Sequence, residues 1–331
     1  MSLVARTPSQ LKGWIYGVLQ SEACGSIKIR SIKARGALPI LNLHRIASRD
    51  SASYAPLDPD IFENLLVWLK RNFTLLRFAE LSTIAPSAKP PIVLSFDDGY
   101  KDFIEYAVPI LEKHSVRVNH NIVPAVVESG RPPMNVTIQD FIASAPASLL
   151  REVPLPGLPE GADPDNREKC CLLASASFKN KPIAEQKAIF ARLDAQFSRF
   201  DGFRETPVMT LQELKQISGV HELGAHSFEH ASMAAETDAY LREDVQKCRS
   251  YFVDKLGFAP NIYAFPNGSV RPGQAEHVHD EGFDHVLLVG ENYSRRAAWL
   301  HHRFTIHGQT PEEARARALG WFKRTTRTDA G

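Results

Sequence analysis

Short apolar runs alternate along the chain with stretches in which apolar residues recur at helical spacing. Such runs are typical of buried strands. They occupy residues 38–46, 73–78, 91–98, 116–127, 262–265, 285–289 and 304–306. Strand and helix patterns that alternate at this pitch predict a parallel β/α architecture.

Helix-start signals and helical spacing mark the segments between these runs. Asp60 with Glu63, and Thr210 with Glu213, each form a capping-box pattern, which predicts that a helix begins there. Beyond the helix that begins near residue 60, helices are predicted at residues 100–114, 183–199, 210–218, 241–256 and 311–324.

Residues 131–206 break this rhythm with repeated prolines. We interpret them as an insertion in one β/α connection and not as an independent domain. Long insertions of this kind commonly form lids or specificity elements, and a surface elaboration with no role in substrate choice is an equally good interpretation. The predicted organisation is an N-terminal extension at 1–37, a main domain at 38–310, and a C-terminal helix and tail at 311–331.

Composition and charge narrow the class of protein. Of the 331 residues, 44% are hydrophobic and 23% are charged, which is usual for a globular protein. The formal net charge is +1, so no strong field favours nucleic acid as a partner. No run of about 18 apolar residues occurs, and we expect no transmembrane segment. The four cysteines lack metal-type spacing, and reduced thiols are expected.

An apolar stripe at residues 8–20 predicts a helix near the N-terminus. Basic residues follow the stripe, so peripheral contact with a membrane surface is one interpretation. Packing of this helix on the exterior of the main domain is the favoured one. The pattern of a signal peptide is absent, which favours a cytoplasmic location, with the periplasm as the alternative.

Two carboxylates and a glycine follow the apolar run at 91–96. Parallel β/α folds place their chemistry at the carboxyl ends of strands, where Asp97 and Asp98 fall. Adjacent side chains of an extended segment point in opposite directions, so we expect the two aspartates to have different roles. Gly99 allows a sharp turn. The alternative for such a pair, taken alone, is a cap on the next helix.

His226 and His230 are four residues apart, a spacing that brings two imidazoles to one face of a helical turn. With one carboxylate they make a three-ligand set that leaves positions open for water and substrate. Taken alone, a pair at this spacing is more often incidental. Its combination with the upstream aspartates favours a metal site.

Residues 95–99 (SFDDG) and 226–230 (HSFEH) resemble the first two motifs of the polysaccharide deacetylases, carbohydrate esterase family 4. The resemblance implies a distorted β/α barrel of about seven parallel strands. It implies that Asp98, His226 and His230 bind one divalent metal ion, most plausibly Zn²⁺, with Co²⁺, Ni²⁺ or Fe²⁺ as alternatives. It also implies that Asp97 is the general base and that the backbone N–H of Tyr100 stabilises the oxyanion.

The sequence departs from the family pattern in its later motifs. Residues 266–268 (PNG) fall where the third motif should lie, but no arginine near Ala264 is available to pair with the base. Arg303 is a candidate for that partner. With Asn267 and His302, it is also a candidate for substrate binding.

Two histidines are candidates for the general acid. His44, at the end of the first predicted strand, resembles the early histidine that serves as general acid in the poly-N-acetylglucosamine deacetylase branch. His302 is the alternative, because residues 300–303 (LHHR) approximate the fifth motif.

These residues predict a metal-dependent enzyme that removes an N-acetyl group from an acetamido sugar. The expected substrate is a surface glycan or its nucleotide- or lipid-linked precursor. A hydrolase of a non-sugar amide on the same scaffold is the nearest alternative, since it would need the same metal ligands. The alternative that is not an enzyme is a non-catalytic glycan-binding relative.

Overall fold

The computed structural model describes residues 22–48, 55–159 except 84 and 86, and 162–323, together with residues 17 and 19. Most of the apolar helix predicted at 8–20 lies outside the described residues, so neither interpretation of it is tested. None of the described helices is long and apolar enough to cross a membrane.

Seven parallel strands form a closed barrel. The strands of the structure are β1 Ala37–Leu38, β2 Ile40–Leu43, β3 Thr74–Leu76, β4 Pro91–Asp98, β5 Asn119–Ile122, β6 Glu222–Ala225, β7 Ile262–Ala264, β8 His285–Val289, β9 Ser294–Arg295 and β10 Leu300–Thr305. The barrel order is β2-β10-β8-β7-β6-β5-β4, and the β2–β4 pairing closes it. Strand β3 pairs in parallel with the first three residues of β4. Strands β1 and β9 form a separate antiparallel pair. The predicted barrel of about seven strands is confirmed.

Helices connect the strands. They are α1 Glu22–Ala34, α2 Pro59–Asn72, α3 Val108–Lys113, α4 Pro124–Ser129, α5 Met134–Ser144, α6 Ala147–Glu152, α7 Arg167–Lys179, α8 Ile183–Phe197, α9 Leu211–Ser218, α10 Asp238–Tyr251, α11 Gln274–Asp280 and α12 Pro311–Ala318. The capping box of Thr210 and Glu213 is present, as predicted. The cap of helix α2 instead lies two residues earlier than predicted, because Asp58 and not Asp60 caps the helix and accepts the Asp60 N–H at 2.9 Å.

The strand predicted at 116–127 is wrong in its second half. Strand β5 ends at Ile122, and helix α4 begins at Pro124, whose fixed φ suits the first position of a helix. Gly130 ends that helix in a left-handed conformation. The last strand also begins earlier than predicted, at Leu300.

The interior of the barrel changes from apolar to polar along the strands. At the amino ends, buried side chains such as Ile40, Val93 and Leu287 form one apolar cluster. Because side chains alternate along a strand, the next inward positions on β2 and β4 are Asn42 and Ser95, both fully buried. The polar layer therefore lies directly beneath the carboxyl ends of the strands.

Residues 131–206 lie between β5 and β6 and contain helices α5 to α8. Thirteen buried residues of these helices and their connections form a cluster of their own. Within the segment, the Thr206 N–H donates to Asp140 at 2.7 Å. The segment also contacts the barrel side of the molecule, because Arg45, which follows β2, reaches the Thr206 hydroxyl at 3.4 Å. Its treatment as an insertion within one domain stays a prediction.

Candidate active site

The carboxyl ends of the barrel strands surround a cavity of about 230 Å³. Seven of the nine residues proposed from the sequence line it: His44, Asp97, Asp98, Tyr100, His226, His230 and Asn267. They come from the ends of four parallel strands, β2, β4, β6 and β7, which the closed barrel places on one rim. Helices α5 and α7 of the 131–206 segment cover the rim with Gln139, Ser175 and Lys179, among others.

Asp97 is held through both of its carboxylate oxygens. Arg303 binds it through two nitrogens, with Nη1 2.8 Å from Oδ1 and Nη2 2.8 Å from Oδ2. The Asn121 amide also donates to Oδ1 at 2.8 Å. Only 1% of the Asp97 side chain and none of the Arg303 side chain is exposed. The predicted pairing of Arg303 with Asp97 is therefore what the structure contains.

The charges around Asp97 determine its ionisation. Burial alone would raise the pKa of Asp97, but the positive charges of Arg303 and His226 lower it by more, so the pKa lies well below its usual range. The carboxyl group is therefore ionised at neutral pH. Its Oδ2 lies 3.8 Å from His226 Nε2 and 4.0 Å from His44 Nε2, which places this oxygen at the cavity.

Asp98 does not follow the strand alternation that the sequence suggested. It has a φ of 78°, and Gly99 follows with a φ of 83°. Aspartate tolerates this left-handed conformation better than most residues. Because the backbone turns already at Asp98, its side chain joins Asp97 at the cavity. The two aspartates still have different contacts, since Asp98 faces the histidines.

The donor set of Asp98, His226 and His230 fits a divalent metal ion. One ligand atom from each residue lies within 4.8 Å of the others. Asp98 Oδ1 is 3.3 Å from Nε2 of both histidines, yet among the described residues it has no well-aligned hydrogen-bond partner. A buried oxygen of this kind is accounted for by a cation. Two imidazoles and a carboxylate are ligands that Zn²⁺ accepts.

His226 is oriented for this role by strand β7. Its Nδ1 lies 2.9 Å from the carbonyl oxygen of Ala264. A carbonyl only accepts hydrogen bonds, so Nδ1 carries a proton and Nε2 is the nitrogen that faces Asp98.

The prediction that His226 and His230 lie on one helical turn is wrong. Residues 226–230 form a loop, in which Ser227 and His230 have φ values of 57° and 60°. The reason is a long-range contact with Asp244 on helix α10. Its Oδ2 accepts hydrogen bonds from the Ser227 hydroxyl and the Phe228 N–H, both at 2.8 Å.

Asp244 is the main residue that sequence reasoning missed. It is 2% exposed, and its other oxygen accepts the Tyr263 hydroxyl at 2.7 Å. Burial raises the pKa of Asp244, and the donors from Tyr263 and Phe228 offset part of that effect. The sequence did contain a signal for this role, since Asp244 is a charged residue on the otherwise apolar face of the helix predicted at 241–256. A carboxylate buried on such a face requires hydrogen-bond donors.

Tyr100 lines the cavity and forms an antiparallel bridge with Val208. The Lys101 N–H donates to the Pro207 carbonyl at 3.0 Å, and the Met209 N–H donates to the Gly99 carbonyl at 2.9 Å. In this antiparallel bridge the N–H of the central residue points away from residues 207–209. That orientation suits an oxyanion donor.

His44 follows strand β2 and is 20% exposed. Desolvation lowers its pKa, and the carboxylates of Asp98 and Asp97 raise it by less, so the pKa lies below the usual value of a histidine. The structure places His44, and not His302, at the cavity. His302 is next to Arg303 on β10 and points to the other side of the strand, where only a glycine at position 290 leaves room for its ring.

Ser95 and Asn119 complete the polar layer beneath the site. The Ser95 hydroxyl donates to Asn119 Oδ1 at 2.7 Å and accepts from Arg303 at 3.1 Å. Alternate polar positions within the strands, 95 and 97 on β4 and 119 and 121 on β5, were the sequence signal for this network. The adjacent strand requires a glycine at position 224, because a Cβ there would lie 2.3 Å from Asn121 Oδ1.

A sequence model of the polysaccharide deacetylase family matches residues 200–286, which include both histidines and strand β7. The resemblance to the polysaccharide deacetylases is confirmed. The search of curated proteins found no significant match.

Solved structures with this fold include several deacetylases. The Ammonifex degensii IcaB structure has a TM-score of 0.55 and 18% identity, over 86% of this chain and 97% of that one. The Streptococcus pyogenes deacetylase PplD, solved with acetate, has a TM-score of 0.54 and 16% identity, over 84% and 96%. A de-N-acetylase from Aggregatibacter actinomycetemcomitans has a TM-score of 0.52 and 13% identity, over 81% and 94%. At these identities the likeness establishes the fold.

Replacing Asp244 should destabilise the protein. Asp244→Ala would leave the buried donors of Ser227, Phe228 and Tyr263 without an acceptor, at a cost of about 1–3 kcal/mol for each group that water does not reach. We expect the free energy of unfolding, measured by urea denaturation, to fall by at least about 3 kcal/mol. Exposed Asp254, just beyond the same helix, is the control, and Asp254→Ala should change it by less than about 0.5 kcal/mol. Equal, small effects of both substitutions would contradict the network.

Proposed function

We propose that this protein is a metal-dependent carbohydrate N-deacetylase, which hydrolyses the N-acetyl group of an acetamido sugar in a polysaccharide or its precursor and releases acetate. The observation that carries the proposal is the arrangement of Asp97. An ionised carboxylate, fixed by Arg303, presents one oxygen 3.8 Å from a histidine of the metal-type donor set. The family match at residues 200–286 and the deacetylase structures of the same fold support this choice.

Asp98, His226 and His230 would hold the metal ion. When bound, a divalent ion supplies positive charge that lowers the pKa of a water molecule and polarises an amide carbonyl. The chain prepares this site in advance, because the Ala264 carbonyl fixes the tautomer of His226 and Asp244 fixes the loop that carries His230.

Asp97 would take the proton from the attacking water. Its Oδ1 is occupied by Arg303 and Asn121, so Oδ2 is the oxygen that faces the cavity. Arg303 also binds Oδ2, which fixes the carboxylate plane and keeps it ionised before the reaction. A base held in one orientation loses little entropy when the water approaches.

Two groups would act on the substrate amide. The N–H of Tyr100 would donate to the carbonyl oxygen as negative charge develops there. His44, 4.0 Å from Asp97, would protonate the departing amine. An amine leaves poorly as an anion, so this proton is required for the C–N bond to break. An unperturbed histidine has a pKa of about 6.5, and burial lowers the pKa of His44, which favours release of its proton to the amine.

A hydrolase of a non-sugar amide would use the same residues, and the donor set does not distinguish it. The matched family and the deacetylase structures favour a glycan. A non-catalytic glycan-binding protein is less favoured, because such a protein would have no use for a buried base paired with Arg303 and aimed at a metal-type donor set.

The first prediction concerns the metal. Purified protein should hold about one divalent ion per chain, most plausibly Zn²⁺, with Co²⁺, Ni²⁺ or Fe²⁺ as alternatives. Chelation followed by dialysis should abolish acetate release from acetamido sugars, and adding back the ion should restore it. Elemental analysis that finds no metal, with acetate release unchanged by the chelator, would rule out the proposed mechanism.

The second prediction separates the two aspartates. Asp97→Asn keeps the shape of the side chain but removes its basicity, so turnover should fall by about 10² or more while metal content persists. Asp98→Asn is the matched comparison and should lose metal. If Asp97→Asn loses metal as well, the roles assigned to the two residues are reversed.

The third prediction assigns the general acid. His44→Ala should lower the rate by about 10²–10⁴ and remove the alkaline limb of the pH–rate profile, because the rate falls with rising pH as the acid loses its proton. His302→Ala is the control, since His302 lies outside the cavity, and it should keep both limbs. Metal content is measured in both variants. The opposite pattern would transfer the role to His302.

A further inference from the structure

A larger cleft adjoins the catalytic cavity. It has a volume of about 810 Å³ and lies between helices α5 and α7 and the ends of strands β2 and β10. The two spaces share five lining residues: His44, Gln139, Ser175, Lys179 and Thr305. A substrate with its acetamido group against Asp97 and Asp98 can therefore extend into the cleft.

The charges lining this cleft are mainly positive. Lys179 and Arg167 lie on helix α7, and Arg45 is neutralised by Asp102, whose Oδ2 is 2.7 Å from its Nε. Arg167 donates Nη1 to the carbonyl oxygen of Ile142 at 2.7 Å, which holds the guanidinium at the wall without cancelling its charge. Among the described lining residues, Glu168 is the carboxylate, and it is exposed.

Lys179 stands where the cleft and the catalytic cavity meet. Its side chain is partly buried in the last turn of α7, and within the described parts of the chain no carboxylate lies within 4.0 Å of its ammonium group. Burial lowers the pKa of Lys179, with no charged group contributing to the shift. An ammonium group removed from water without a counter-ion is costly, and a bound anion would offset that cost.

We propose that this cleft binds an anionic group of the substrate, with Lys179 as the residue that contacts it and Arg167 as the second positive charge. The proposal rests on the deacetylase function above and narrows its substrate class to acetamido sugars that carry a negative charge near the reacting residue. A phosphate of a nucleotide- or lipid-linked sugar and a carboxylate of a neighbouring uronic acid share this chemistry. Lys179 and Arg167 both belong to the 131–206 segment, so the proposal gives that segment a role in substrate specificity.

Acetate release from matched substrates tests the proposal. The substrates are a neutral N-acetylglucosamine oligomer, a nucleotide-linked N-acetylglucosamine, and an oligomer in which N-acetylglucosamine alternates with glucuronic acid. We expect kcat/KM to be at least about tenfold higher for one of the charged substrates, and which of the two is preferred distinguishes phosphate from carboxylate.

Variants then assign the preference to the residue. Lys179→Gln should lower kcat/KM for the preferred charged substrate by about 10–100-fold and leave the neutral oligomer nearly unchanged, since a hydrogen bond to a charged group contributes about this much. Lys179→Arg should retain most of the preference. Lys169→Gln is the control, because Lys169 is exposed on the same helix and outside the cleft, and it should behave as wild type.

Two outcomes separate this proposal from the function on which it rests. If acetate is released without discrimination by charge, or Lys179→Gln affects neutral and charged substrates equally, the anionic subsite is wrong and the deacetylase function stands. If no substrate releases acetate, calorimetric titration with the same charged compounds decides. Binding that Lys179→Gln weakens about tenfold or more supports the subsite, and binding that it leaves unchanged overturns it.

Discussion

The ion pair of Asp97 and Arg303 inside the barrel is the interaction on which the site depends. A carboxylate that is 1% exposed is tolerated only when it is paired and hydrogen-bonded. Arg303 supplies the charge, its Nη1 also donates to the Ser95 hydroxyl, and Asn121 donates a further hydrogen bond to Asp97 Oδ1. Removing one partner from such a pair typically costs about 3–5 kcal/mol. The polar layer of the barrel interior therefore allows an ionised carboxylate to be buried at this position.

The arginine that pairs with Asp97 comes from a different strand than the sequence motif suggested. The family pattern places an arginine on the strand that is β7 here, but Ala264 occupies that region and Arg303 comes from β10. In a closed parallel barrel all strands end on one rim, so either strand can reach Asp97. Strand β7 instead contributes the backbone carbonyl of Ala264, which lies 2.9 Å from His226 Nδ1 and orients that ring.

Local signals predicted most of the strands and the candidate residues that meet at the cavity, because runs, spacing and residue type are properties of short segments. Strand β6 was missed, since its four residues form no apolar run. The conformations of Asp98 and of residues 226–230 were not predictable in this way. Both depart from the regular geometry that periodicity assumes, and the loop is fixed by Asp244, which is distant in sequence. The prolines of residues 131–206 indicated a break in the β/α pattern, but the way α7 faces the cavity depends on packing that no local pattern encodes.

Several residues of the site have strained backbone conformations that their surroundings hold in place. Four non-glycine residues around it, Asp98, Ser227, His230 and Asn267, have φ values between 57° and 78°. Conformations of this kind cost about 1–3 kcal/mol each and persist only where the surroundings fix them. Here the barrel register fixes Asp98, and Asp244 fixes the loop of the histidines. Because these constraints lie in the barrel and helix α10, the chemical groups keep their geometry whatever the α7 side of the cleft binds. We therefore expect substitutions on α7 to change substrate preference and to leave the positions of Asp97, Asp98 and the two histidines unchanged.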